Sequence, residues 1–339
     1  MYAMAIHTDI IEQEENLTFQ RNYRPKMAAR AILITGATGK QGSSVVNALL
    51  RSNADFEILA LTRNASSPSA QSLARKSPLI KLVTGNLDDP SSIFASARSV
   101  TKTPIWGVFS VQTPFGGKAS TKTEERQGKA LVDASLENGV SHFVYSSVDR
   151  GGDAKSAKDP TNVPHFISKH NVEQHLFAKA KGSDMTWTVL RPVAFMENLV
   201  PGFLGKVFNT DWKMVLRPEQ KLQLIATSDI GFFAAQSFLQ PSSRLYANST
   251  LSLAGDELTY AEYAKIFQER TGEKLPTTFR LIVKLINFMV KEMGNMFVWF
   301  RETGYGADLE ELKRLHPQIK GFGEWLEKES AWKKGGEKA

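Results

Sequence analysis

The sequence feature that most constrains the fold is a glycine-rich turn between an apolar run and a helical segment. Residues Ala31 to Thr35 form the apolar run, and the turn that follows carries Gly36, Gly39 and Gly42 in the spacing G-x-x-G-x-x-G. Residues Ser43 to Arg51 then have apolar side chains at helical spacing. A strand, a glycine turn and a helix in this order are typical of a phosphate-binding unit, because the free N–H groups at the helix start attract negative charge.

Apolar runs and helical segments continue to alternate as far as Leu190. After the first run, we predict strands at 56–62, 80–84, 106–111, 140–146 and 186–190, and helices at 124–138 and 165–181. Repeated strand–helix units of this length predict an α/β fold with a doubly wound, parallel Rossmann sheet. Ligands of such sheets bind at the carboxyl ends of the strands.

The alternation stops after Pro192. Aromatic residues and glycines are frequent from Phe195 to Trp212, which predicts loops, and helical periodicity returns at 260–271 and 280–300. We therefore predict a second, smaller and mostly helical C-terminal lobe that closes over the first. We predict a disordered N-terminal extension at 1–26 and a basic tail at 331–339. Between them, we predict a Rossmann domain formed by 27–192 together with 222–255, and a smaller lobe formed by 193–221 and 256–330.

Composition excludes several kinds of function. The chain has no cysteine, which excludes disulfides, thiol catalysis and cysteine-based metal sites. Its formal charge of +7 attracts anions, yet no long basic run indicates a nucleic-acid surface. The apolar stretch from Leu281 to Phe300 is interrupted by Lys284, Lys291 and Glu292, so we expect a packed amphipathic helix there. We expect no metal, no direct nucleic-acid or membrane partner, and a cytoplasmic location, or a nuclear one for a regulator.

The residue at the end of the second strand bears on the choice of nucleotide. An acidic residue there would bind the ribose hydroxyls of NAD, whereas this chain has Arg63, 21 residues after Gly42, followed by Asn64. A guanidinium pairs well with a 2′-phosphate, and Lys40 adds positive charge within the turn. These residues favour NADP, with NAD as the weaker alternative; in the other interpretation Arg63 is only a solvated residue at a strand end.

Two side chains of the helix at 165–181 are candidates for chemistry. Typical short-chain dehydrogenases use a serine, a tyrosine and a lysine four residues after the tyrosine; here Lys169 is in the right order, but the residue four before it is His165. His165 could act as a general acid or base, or could be a packing residue at the helix start. We expect Lys169 to bind the nicotinamide ribose, the alternative being a solvated helix lysine.

Together these segments resemble the NmrA-like family of atypical short-chain dehydrogenase/reductase proteins. The matching stretches are Ile34 to Gly42, Leu61 to Asn64, Gly85 to Asp89, Gln127 to Lys129, Phe143 to Ser147, Pro164 to Lys169, Leu190 to Pro192, Phe195 to Asn198, Leu253 to Thr259, and Gly304 to Leu326. The resemblance implies NADP or NAD in the cleft between the lobes. The implied cofactor contacts are Gly36, Ala37, Thr38, Gly39, Lys40, Gln41, Gly42, Arg63, Asn64, Asn86, Leu87, Gln112, Thr113, Pro114, Lys169, Phe195, Met196, Glu197 and Asn198.

The resemblance leaves two functions open, because the family also lacks the catalytic tyrosine. The first is an NADP(H)-dependent oxidoreductase that reduces a small aromatic or apolar carbonyl or enone, in secondary metabolism. Phe195, Phe203, Phe208 and Trp212 would then line its pocket, unless they are core residues. The second is a redox sensor that binds NADP(H) without turnover and regulates a transcription factor or another protein partner.

The residue Asn86 stands where the family often has aspartate. The resemblance therefore implies a neutral hydrogen bond from this position to the adenine.

Overall fold

The large sheet of the computed structural model, which describes residues 30–114 and 120–332, confirms the doubly wound Rossmann fold. The strands are β1 Arg30–Ile34, β2 Phe56–Thr62, β3 Ile80–Thr84, β4 Ile105–Ser110, β5 His142–Ser146, β6 Thr186–Pro192, β7 Ala194–Phe195, β8 Lys221–Ile225, β9 Ser249–Leu253 and β10 Asp256–Thr259. Seven of them form one parallel sheet in the order β3-β2-β1-β4-β5-β6-β9. The strand order reverses between β1 and β4, and this switch point opens a crevice at their carboxyl ends.

Helices cover both faces of this sheet. They are α1 Lys40–Arg51, α2 Pro68–Ala74, α3 Pro90–Val100, α4 Thr121–Glu137, α5 Asp153–Ser156, α6 Pro164–Ala180, α7 Phe203–Val215, α8 Thr227–Leu239, α9 Tyr260–Thr271, α10 Arg280–Met289, α11 Lys291–Glu302, α12 Leu309–Leu315 and α13 Phe322–Lys328. Helices α1 and α8 pack together on one face, and α4 and α6 pack together on the other. Successive β1 side chains therefore enter two separate cores, Ile32 and Ile34 in one and Ala31 and Leu33 in the other.

A third apolar core belongs to the C-terminal part of the chain. It joins α7, α9, α11 and α13 with a small sheet in the order β10-β8-β7, in which β8 is antiparallel to β10 and parallel to β7. Strand β9, by contrast, lies beside β6 in the large sheet. The boundaries expected for the two lobes stay a prediction. The expected extension at 1–26 and all but two residues of the expected tail at 331–339 lie outside the described residues.

Several local predictions need correction. The first helix begins at Lys40 rather than Ser43, and the expected loops of 195–212 contain most of α7. The expected single helix at 280–300 is wrong, because Val290 has ψ of 73° and separates α10 from α11. The expectation that this stretch is packed is also wrong for α10, where only Val283 is buried. In the described part of the chain, no helix is long and apolar enough to cross a membrane.

Candidate functional site

Each of the three glycines has a different structural role in the turn. Gly36 has φ of +58°, a left-handed conformation that favours glycine. The N–H of Gly39 donates to the carbonyl oxygen of Gly36 at 2.8 Å, which closes the turn. A Cβ atom on Gly42 would lie 2.2 Å from that same oxygen, so only glycine allows the helix to approach the strand this closely. The sequence pattern therefore corresponds to a tight strand–turn–helix.

The start of α1 offers donors to an anion. Gly39 is the N-cap and supplies no side-chain acceptor, and the first turn holds no acidic residue. The N–H groups of this turn are therefore open to a ligand, and the dipole of a 12-residue helix favours negative charge there. Thr38 is exposed on the turn, whereas Ala37 is fully buried and anchors it. These N–H groups at the start of α1 suit a pyrophosphate ligand.

The carboxyl ends of β1 and β4 are joined beside this turn. Thr35 Oγ1 donates to the carbonyl oxygen of Val111 at 3.1 Å and accepts from the N–H of Val111 at 2.8 Å. Gln112 follows, almost fully buried, and its Nε2 donates to Ser110 Oγ at 2.9 Å. The predicted contacts Thr113 and Pro114 come next, so all three lie at the mouth of the crevice.

Arg63 lies at the position expected for recognition of a 2′-phosphate. It follows the last residue of β2, is exposed, and forms no ion pair or side-chain hydrogen bond within the described residues. Asn64 turns the chain behind it, with Oδ1 accepting from the N–H of Ser66 at 2.9 Å. The guanidinium is therefore available to an anionic ligand at the same edge of the sheet as the glycine turn.

Asn86 and Leu87 follow the neighbouring strand β3. Asn86 Oδ1 accepts from the N–H of Asp88 at 3.2 Å, and Leu87 packs against the core beside the strand end. Asp88 is in turn held from α4 by Arg126 at 2.5 Å and by Gln127 at 2.8 Å. Sequence reasoning noted Gln127 only as a matching residue. The structure shows that it fixes the loop that carries Asn86.

The segment Phe195 to Asn198 reaches the glycine turn from the end of β7 in the small sheet. Lys40 Nζ donates to the carbonyl oxygen of Glu197 at 2.7 Å. The Glu197 carboxylate accepts from both the N–H and the hydroxyl of Thr227, and burial raises the pKa of this carboxyl group. Met196 is buried and Asn198 is exposed. These contacts place the segment across the start of α1.

Lys169 sits in a buried polar cluster at the carboxyl end of β5. Its Nζ donates to the carbonyl oxygen of Ser146 at 3.2 Å and lies 3.2 Å from the carboxylate of the fully buried Glu124. The hydroxyl of Ser146 donates to Gln41 Oε1 at 2.5 Å. The cluster therefore links the glycine turn to α6. Sequence reasoning missed Glu124, which no local motif indicates.

His165 is oriented by a contact with α11. Its Nδ1 lies 2.8 Å from Glu292 Oε1 of α11, and its ring packs edge-on against Phe166 with centroids 4.6 Å apart. His165 is only 8% exposed. His165 and Lys169 thus lie one turn apart on α6 but engage different elements. Sequence reasoning also missed Glu292 as a partner, because 127 residues separate it from His165.

The aromatic residues proposed as pocket walls do not share one environment. Trp212 is fully buried and packs on Tyr263 with ring centroids 4.5 Å apart, so it is a core residue. The ring centroids of Phe208 and Phe297 are 5.5 Å apart, and Phe208 is half-buried. Phe195 is also half-buried. Phe203 is exposed. Only part of the expected aromatic wall is therefore accessible to a small molecule.

A model of the NmrA-like family matches residues 28–326. The chain belongs to the NmrA-like family. The NmrA-like family domain-containing oxidoreductase hkm9 of Aspergillus hancockii is 30% identical over 261 residues, which cover 72% of this chain and 73% of hkm9. The resemblance inferred from the turn, Arg63 and the helix with Lys169 is therefore confirmed at the level of the family.

Two solved structures of this fold illustrate the functions found among proteins of similar shape. Citrobacter sp. triphenylmethane reductase complexed with NADP(H) has a TM-score of 0.63 at 16% identity and covers 88% of this chain and 99% of its own. NmrA, a negative transcriptional regulator in complex with NADP, has a TM-score of 0.64 at 14% identity and covers 89% and 95%. At these identities the likeness shows the fold alone.

Proposed function

We propose that this NmrA-like protein is an NADP(H)-dependent oxidoreductase. The observation that carries the proposal is the glycine turn at the open start of α1 with the exposed Arg63 at the next strand end, whose guanidinium has no ion-pair partner among residues 30–114 and 120–332. A pyrophosphate would bind the N–H groups of the turn, and the 2′-phosphate would pair with Arg63. NADP(H) bound to structures of the same fold supports this choice of nucleotide.

The rest of the proposed cofactor site follows the sheet edge. Asn86 and Leu87 would contact the adenine, and Gln112 to Pro114 would lie along the crevice toward the nicotinamide. Lys169 would hold the nicotinamide ribose through an N–H of its ammonium, which Glu124 and Ser146 already position. Phe195 to Asn198 would close over the pyrophosphate, because Lys40 ties this segment to the turn.

The proposed chemistry combines the cofactor with His165. Bound NADPH supplies a hydride to an electrophilic substrate carbon. His165 would deliver the proton that the substrate oxygen requires, from Nε2, because Nδ1 faces the Glu292 carboxylate. The carboxylate would hold the ring in one orientation. Removal of water by the second lobe would favour the transfer of both groups.

The proposed substrate is a small aromatic or apolar carbonyl or enone compound. Half-buried Phe195 and Phe208 offer apolar surface in the second lobe. The name of hkm9 as an oxidoreductase supports turnover, and the named activity of triphenylmethane reductase supports an aromatic substrate. A place in secondary metabolism is part of this proposal.

A regulator that binds NADP(H) without turnover is the second candidate. The observation that favours it is His165 at the position where short-chain dehydrogenases have a tyrosine, together with the likeness to the regulator NmrA. Its partner would be a transcription factor or another protein. Differential affinity of two conformations for NADP(H) would couple the redox state to that partner.

Calorimetric titration with NADPH and NADH tests the cofactor. We expect NADPH to bind more tightly, and Arg63→Glu to remove the preference by weakening NADPH binding about a hundredfold. Arg51→Glu is the matched control, since Arg51 is also exposed but lies at the far end of α1. Equal loss in both variants, or no binding of either nucleotide, would contradict the proposal.

Oxidation of NADPH with a panel of quinones, enones and aromatic aldehydes then separates the two functions. Turnover that is lost in a Lys169 variant supports the oxidoreductase. Tight NADPH binding without turnover on any compound of the panel would favour the regulator.

A further inference from the structure

Helix α10 has an apolar face directed away from the protein. Leu281, Leu285, Phe288 and Met289 recur at helical spacing and are between 58% and 79% exposed. The opposite side of the helix packs on α7, where Val283 is buried and Asn287 Nδ2 donates to Asp211 Oδ1 at 2.7 Å. A helix on a water-exposed surface normally directs charged residues outward. Within the part of the chain that the structure describes, no element covers the outward face of α10.

The apolar surface extends beyond α10. Phe279 precedes the helix and is 78% exposed. A shallow cavity of about 410 Å³ is lined by residues of α7 and of the loop before α10: Phe203, Lys206, Thr277, Thr278 and Phe279. Because Phe203 and Phe279 share this cavity, the exposed Phe203 and Leu204 continue the face of α10. Contiguous apolar surface of this kind marks an interaction site.

The charges beside this surface are basic. Arg280 and Lys284 lie on one flank of α10, and Lys206 lines the adjoining cavity; all three are exposed. The sequence from Phe279 to Val290 contains no aspartate or glutamate. A second copy packed on this face would bring Arg280 and Lys284 close to their own like charges. An anionic surface would instead neutralise them.

We propose that this face binds the surface of an anionic lipid membrane. An amphipathic helix with aromatic and aliphatic side chains on one side and basic residues beside them lies in the plane of the lipid headgroups. Its apolar side chains enter the acyl boundary without a shaped groove, and its basic residues attract anionic lipids. We expected no membrane partner from the sequence because it offers no credible membrane-spanning segment. Binding to a membrane surface does not need such a segment. This inference does not depend on the proposed enzymatic function.

Sedimentation of the full-length protein with lipid vesicles tests the inference. We expect binding to vesicles of phosphatidylcholine and phosphatidylserine at a ratio of about seven to three, and about tenfold less binding to phosphatidylcholine alone. Arg280→Gln with Lys284→Gln should remove most of that difference. The matched control is Lys122→Gln with Lys158→Gln, since Lys122 is an exposed residue of α4 and Lys158 is an exposed residue of the turn after α5.

A second set of variants in the same sedimentation experiment removes apolar side chains from the exposed face of α10. Leu285→Ser with Phe288→Ser should reduce vesicle binding about tenfold, while Leu79→Ser, a partly exposed leucine before β3, should not change it. NADPH binding reports that each variant is folded. The inference is overturned if the wild-type protein stays in the supernatant with both vesicles. It is also overturned if light scattering shows a dimer that the Leu285→Ser, Phe288→Ser variant dissociates, since a second copy then covers the face.

Discussion

The ammonium group of Lys169 lies 3.2 Å from the carboxylate of Glu124, a fully buried side chain in the first turn of α4. The hydroxyl of Ser168 donates to the other oxygen of the same carboxylate. Glu124 therefore positions two consecutive residues of α6. The lysine expected to hold a ribose is not a solvated helix lysine but part of a paired, buried cluster.

Substitution of Lys169 should separate its role in turnover from its role in stability. Lys169→Met leaves Glu124 buried without its ion pair, so we expect a lower unfolding midpoint as well as at least about tenfold slower NADPH oxidation. The double variant Lys169→Met, Glu124→Gln removes both charges and should recover most of the thermal stability. It should not recover turnover. Recovery of both would mean that Lys169 has only a structural role.

Gly42→Ala tests the close approach of helix and strand. A methyl group at this position would lie 2.2 Å from the Gly36 oxygen, so the start of α1 must shift. We expect a loss of stability of about 3 kcal/mol and at least about tenfold weaker NADPH binding in calorimetry. Gly39→Ala is the control, because its Cβ would lie 3.2 Å from the same oxygen. A larger loss of stability in Gly39→Ala than in Gly42→Ala would contradict this account of the turn.

Glu292→Gln tests the orientation of His165 by the contact between α6 and α11. The neutral amide holds the imidazole ring less firmly than the carboxylate does, so we expect kcat to fall about tenfold while the KM for NADPH stays unchanged. Glu302→Gln, in the exposed last turn of the same helix, should leave kcat unchanged. An unchanged kcat in Glu292→Gln, or a change only in KM for NADPH, would exclude this role.

Asp211 should make stability depend on pH. Burial raises the pKa of this carboxyl group from 3.8 to about 6, which means that the folded protein binds the proton more tightly than the unfolded chain. Its contribution to the free energy of unfolding is therefore greatest below about pH 4 and declines by about 2 kcal/mol as pH rises through 6. Asp211→Asn should remove this decline and raise the unfolding midpoint at pH 8.

The effect of Asp211 on stability is measured by comparing the thermal unfolding midpoints at pH 5 and pH 8. Asp184→Asn, at an exposed position, should leave the difference between the two midpoints unchanged. The new amide at position 211 can also donate to Asn287 Oδ1, a buried atom that lacks a partner within the described residues. An Asp211→Asn protein that is less stable than the wild type at pH 8 would contradict the prediction.

The local pattern of the chain was sufficient for the framework of the large sheet. Strands β2 and β3 lie at the predicted residues, because short apolar runs bounded by turn residues identify buried parallel strands. The start of α1 was placed three residues too late, since the turn residues Lys40 and Gln41 already have helical conformation. Two apolar segments at 280–300 looked like one helix because periodicity does not report the break at Val290.

The sequence by itself determined the strand–turn–helix with its three glycines, the residue at the end of β2 and the order of the α/β units, since each depends on neighbours along the chain. Only the tertiary structure decided which distant groups meet: Glu124 with Lys169, Glu292 with His165, and Lys40 with the Glu197 backbone. It also decided that α10 exposes its apolar face. The physical reason is that ion pairs and burial depend on how helices and lobes pack, and residues that are far apart in sequence carry no local record of that packing.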